Sequence, residues 1–97
     1  MFKELDPILN VPLRLAIISI LANTKEADFN LIKIQTKASA GNLSIQLNKL
    51  KAAGYIDVIK QFKDNYPKTT CKITHKGSEA FKKYEDAMQS YFNPKLD

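Results

Sequence analysis

The sequence predicts a mainly α-helical fold with one small β-hairpin, an α+β domain organised around a helix-turn-helix. Three observations predict it. Two short helical patterns follow one another across only Ala38 and Ser39, the tight join of a helix-turn-helix. A β-branched, alternating stretch then doubles back through "KDNYPK", residues 63–68. A long helical pattern with an aromatic stripe follows.

The 97 residues are expected to form one domain, 1–97, with a frayed tail at 93–97. The first helix is expected over residues 13–22, with Pro12 in its opening turn, where a missing N–H costs nothing. It is apolar on nearly all sides, which reads as a buried helix. A turn is expected over 23–28. Asn30 is the candidate cap of a second helix, about 31–37, with Leu31, Ile32 and Gln35 turned inward. Ser39 is the candidate cap of a third, 40–53, closed by Gly54 in the left-handed conformation. Leu43, Leu47 and Leu50 give it one narrow apolar stripe. Strands are expected over 55–62, with Ile56 and Val58 on one side and Asp57 on the other, and over 69–75, with Cys71 and Ile73 on one face. Thr74 is the candidate cap of the last helix, 76–92, striped by Phe81, Tyr84, Met88 and Tyr91 or Phe92.

Charge is distributed unevenly. Residues 30–76 hold nine lysines against Asp57 and Asp64, whereas the rest of the chain holds six basic and eight acidic residues. A positive middle between near-neutral flanks is the footprint of a polyanion-binding face, or else a solvated lysine-rich surface. The longest apolar run, 15–22, broken by Ser19, is far short of a membrane span, and the N-terminus lacks the apolar stretch of a signal peptide. A cytoplasmic protein without membrane contact is expected. One cysteine excludes an internal disulfide, and one histidine excludes a Cys/His zinc cluster, so no metal is expected. No cofactor motif, nucleophile elbow or phosphate-binding loop is present, so the chain reads as a non-enzyme.

"PLRLAIISIL", "GNLSIQLNKLKAAGYIDV", a basic hairpin and "ITHKGSEA" together resemble the winged-helix DNA-binding domains of MarR- and ArsR-like transcription regulators, over about residues 5–91. The resemblance implies a three-helix core, a wing and a C-terminal dimerisation helix. It also implies a homodimer that binds double-stranded DNA near a pseudo-palindrome at promoters. The third helix would then be the recognition helix. On a helical wheel, Gly41, Asn42, Ile45, Asn48 and Lys49 lie opposite the leucine stripe, with Gln46 at its edge. Asn and Gln can pair with adenine, and an apolar side chain can touch a thymine methyl, so this face leans towards A·T sites. Family members often carry arginine at the place of Ile45 and histidine at that of Gln46. Here the only arginine is Arg14, in the first helix. Ile45 could equally be an idle exposed residue or a protein contact.

Gly41 would let the backbone approach a phosphate, or simply fit the tight turn. Ser39 and Ser44 are candidate phosphate donors, Ser39 being also the cap. In the wing, Lys60, Lys63 and Lys68 around Asn65 and Tyr66 suit phosphate contacts, and Lys72 adds to that charge. The dimer is expected from Phe2, Leu5 and Ile8 at the N-terminus with Tyr84, Met88, Tyr91 and Phe92 of the last helix, so that 1–11 and 76–92 contribute. Cys71 is expected to be a packed strand residue. A redox switch there would need exposure and a lowered pKa. A metal-sensing role of the ArsR type lacks its cysteine pair. Whether a small-molecule effector exists is open, and with no separate effector domain it would bind at or near the dimer interface. The rival reading is a winged-helix protein–protein interaction module, favoured by Ile34 and Ile45.

Overall fold

The structure is a computed structural model and describes residues 1–96. Its elements run α1 (Pro12–Thr24), β1 (Glu26–Asp28), α2 (Phe29–Thr36), α3 (Ala40–Ala52), β2 (Ile56–Lys63), β3 (Tyr66–Ile73) and α4 (His75–Phe92). The sheet is antiparallel with the order β1-β3-β2.

Two local expectations need correction. The turn expected at 23–28 contains β1, which pairs Glu26, Ala27 and Asp28 with Lys72, Cys71 and Thr70. Three residues, two of them acidic, carry no strand pattern of their own; the ladder with β3 makes them a strand. The cap of α2 is Asp28, not Asn30: its Oδ1 accepts from the Leu31 N–H at 2.7 Å. Of the three residues expected to turn inward, Ile32 is buried, whereas Leu31 and Gln35 are exposed.

The third helix forms as the sequence predicts. Ser39 Oγ accepts from the Asn42 N–H at 3.2 Å, a cap worth about 1 kcal/mol. At the other end the Tyr55 N–H donates to Leu50 O and the Gly54 N–H to Lys51 O, with Gly54 at φ 80°. This double closure stops the helix and sends the chain straight into β2. Leu43, Leu47 and Leu50 are buried together with Leu9, Ile17, Ile18, Leu21, Ile32, Ile56 and Cys71 in one core. Each of these leucine or isoleucine side chains contributes about 1.5–3 kcal/mol through burial.

The hairpin is longer and tighter than "KDNYPK" suggests. Its turn is only Asp64 and Asn65, at φ 52° and 66°, between the paired residues Lys63 and Tyr66. Two consecutive positive φ values make the turn whose twist matches the strands. Pro67 lies opposite Phe62, one pair behind the closing pair. Alternation of the ladder turns the backbone of that pair outward, so the missing N–H of Pro67 breaks no bond to β2. β1 reaches only as far as Thr70, which leaves the outer half of the hairpin projecting alone.

Thr74 caps α4 by accepting from the Gly77 N–H at 3.0 Å. Its hydroxyl also donates to Gly54 O at 2.6 Å, and its N–H donates to Tyr55 O. A Cβ on Gly77 would stand 2.1 Å from Tyr55 O. The start of α4 therefore lies directly on the α3–β2 elbow, and only glycine permits the approach.

Candidate nucleic-acid interface

The exposed side of α3 carries Asn42, Ser44, Ile45, Asn48 and Lys49, with Gln46 half-buried at its margin. Ile45 is 54% exposed. The helix contains no acidic residue, and Lys49 and Lys51 sit in its last turn. Gln46 is held in place: its Nε2 donates to Asn42 Oδ1 at 3.2 Å, and its Oε1 is enclosed without a partner. Asn42 and Gln46 thus present a coupled pair of amides, whereas Asn48 is exposed further along the helix. Gly41 faces open space, with nothing within 4 Å of where its Cβ would be. The tight turn therefore does not require glycine there.

On the wing, Lys60, Lys63, Asn65 and Tyr66 are exposed, and Lys68 is half-buried. Strand alternation divides these residues between two faces. Ile56, Val58, Lys60 and Phe62 of β2 oppose Ile73, Cys71, Thr69 and Pro67 of β3 on the face that covers the helical core. Lys63, Tyr66 and Lys68 lie on the other face with Asp57, Ile59, Thr70 and Lys72. Lys72 is partly occupied there, with its Nζ 3.6 Å from Glu26 Oε2 across the β1–β3 ladder. One feature of the wing escaped sequence reasoning: Phe62 is 78% exposed. Lys33 and Lys37, counted in the basic middle of the chain, are exposed on the helix-turn-helix. Alternation from the buried Ile56 would have put Phe62 on the inner face, but the point at which the core ends is not written in the strand.

The residues expected at a dimer interface divide into three groups. Tyr84 is buried in the protomer's own core, and its hydroxyl donates to Asn10 Oδ1 at 2.9 Å. Leu5, Ile8 and Met88 are half-buried against that core. Phe2, Tyr91 and Phe92 remain exposed. The Phe2 and Tyr91 rings are 5.2 Å apart, the Tyr91 hydroxyl donates to Lys3 O at 2.8 Å, and the Lys3 N–H donates to Ser90 Oγ at 2.9 Å. The N-terminal segment is thereby strapped to α4. Leu9, absent from the sequence reading, is its fully buried anchor. Asp6 is a second anchor, accepting from the Ile8 N–H and from the Tyr55 hydroxyl. Burial and this bond to Asp6 push the Tyr55 phenol up to about 12.

Cys71 is the packed strand residue that the alternation predicts. It is fully buried, and desolvation, reinforced by the charge of Asp28, pushes its thiol up to about 11. The thiolate needed for reaction is both scarce and out of reach. Among the described residues no group of three or more His, Cys, Asp or Glu side chains could hold a metal ion. No helix among them is long and apolar enough to cross a membrane.

A helix-turn-helix with an exposed, acid-free second helix, followed by a lysine-bearing hairpin, defines a winged-helix DNA-binding module. The chain belongs to the winged helix DNA-binding domain family, whose sequence profile matches residues 13–92. It is 35% identical, over 79% of its length and 84% of the other protein, to an uncharacterized protein of Methanocaldococcus jannaschii. Its fold is similar to that of a transcriptional regulator homologue from Pyrococcus horikoshii, with a TM-score of 0.84, 28% identity, and coverage of 89% of this chain and 85% of that one. A MarR family regulator from Neisseria meningitidis shares the fold at a TM-score of 0.63 and 15% identity, over 84% of this chain and 56% of that one.

Proposed function

We propose that this protein is a sequence-specific regulator of transcription that binds duplex DNA at promoters as a cytoplasmic homodimer and has no enzymatic activity. The observation that carries the reading is the outer side of α3. Asn42, Ile45, Asn48 and Lys49 are all exposed there, with no acid among them, beside a wing armed with lysines. In the bound state α3 lies in the major groove. The asparagines pair with adenine edges, Ile45 packs on a thymine methyl, and Lys49 reaches a phosphate. Neither α3 nor the wing contains an arginine, the one arginine of the chain being Arg14 in α1. This favours A·T sites over the guanine contacts that arginine makes best. Ser39 remains spent on its cap, leaving Ser44 the freer phosphate donor. Regulation then proceeds by occlusion of a promoter or recruitment to it.

The test is fluorescence anisotropy with a short A·T-rich and a short G·C-rich duplex at several salt concentrations. Tighter binding to the A·T duplex with a steep log–log salt slope is expected. The exposed Leu31 and Ile34 of α2 favour a second reading, a protein–protein adaptor. Folded protein that fails to bind either duplex at low salt would replace the first reading with the second.

A further inference from the structure

Phe62 is the most exposed large hydrophobic side chain of the wing, and neither the sugar-phosphate contacts of its lysines nor the base contacts of α3 use it. It lies on the sheet face that covers the helical core and α3's leucines, with Pro67 directly opposite on β3. Opposed residues of this kind hold their Cβ atoms about 5 Å apart, so the two rings form one apolar block. Lys60 stands one inward-facing position behind Phe62 on the same strand, and Lys63 and Lys68 flank the block on the other face.

We propose that Phe62, backed by Pro67, is a wedge that enters the minor groove next to the major groove occupied by α3. The proposal rests on the DNA-binding reading above and extends it to an apolar contact. Three features support it. The block looks to the same side of the sheet as α3, because Ile56 and Cys71 on that face pack into the core that α3 completes. The four outermost pairs of the hairpin extend it about 13 Å past the core, at about 3.3 Å per residue, enough to reach a neighbouring groove. The surrounding lysines match the walls of a phosphate-lined groove and not an apolar protein partner. Phenylalanine and proline are the side chains that unstack a base step from the minor-groove side when they insert.

An apolar wedge has a signature that a lysine contact lacks: it adds affinity without releasing counterions. Phe62→Ala should therefore weaken binding to the A·T duplex by about tenfold at every salt concentration, in parallel with the original log–log slope. Phe62→Leu should recover most of the loss. Netropsin, which fills A·T minor grooves, should weaken the unaltered protein and have a smaller effect on Phe62→Ala. Circular dichroism of the variants should be unchanged, as Phe62 lies outside the core. Equal affinity of Phe62→Ala and the unaltered protein, a changed slope, or equal netropsin sensitivity would each overturn the wedge while leaving the DNA-binding reading intact. Failure of the unaltered protein to bind DNA would remove both.

Discussion

Gly41 separates folding from recognition at a single position. A helical glycine costs about 0.5–1 kcal/mol relative to alanine, and here no protein atom demands it. Gly41→Ala is expected to raise the melting temperature slightly while weakening DNA binding, because the added methyl stands where a phosphate would approach. Thermal melts beside anisotropy titrations check both halves. Ile45→Ala removes only half-exposed surface, so stability should hold. The preference for A·T over G·C duplexes should shrink, as competition titrations would show. These positions were legible in the sequence because the leucine stripe of α3 fixes, by angle alone, which residues face away. Tyr84 was not: its aromatic bulk gave no hint that Asn10 would satisfy its hydroxyl inside the protomer.

Among the elements, the α3–β2 elbow and the start of α4 depend on one another. Gly77→Ala would drive a methyl into the Tyr55 carbonyl. The expected loss is about 3 kcal/mol or more, at or beyond the upper end for overpacking, read as a fall in the denaturation midpoint. The wing behaves differently. Lys63→Ala combined with Lys68→Ala should leave stability nearly unchanged and flatten the salt slope of DNA binding by up to about 0.9 for each phosphate that a lysine no longer neutralises. Caps and stop signals made α3 and α4 readable: Ser39, Gly54 and Thr74 all perform the bonds their residue types suggest. β1 was hidden because its partner strand is far along the chain, Glu26 against Lys72, and nothing local in three residues announces such pairing. The shift of the α2 cap to Asp28 follows from that hidden strand, which delivers Asp28 in extended conformation at the helix entrance.

At the scale of the molecule, the body is elongated, 62 × 25 × 21 Å. It leaves Phe2, Tyr91 and Phe92 uncovered along the strapped N-terminal segment and the end of α4. A two-fold pairing through this patch would bury it and place two recognition helices on one face of the duplex, about one turn apart. Sedimentation at micromolar concentration is expected to show a dimer. Phe92→Glu should shift it to monomer without unfolding it. The general order of helix, helix-turn-helix, hairpin and helix was readable from periodicity. How the N-terminal segment packs was not, because Leu9 and Asp6 act through partners far along the chain.

The strap has one more consequence. Lys3 and Ser90 are hydrogen-bonded although 87 positions separate them, so the backbone traces a nearly closed ring. In a ring the place of the covalent gap matters less than the contacts across it. A short linker from the end of α4 to the N-terminal segment would join neighbours and disturb little. The gap could then be moved to an exposed connection elsewhere, giving a circular permutant with the same body and a different order of synthesis.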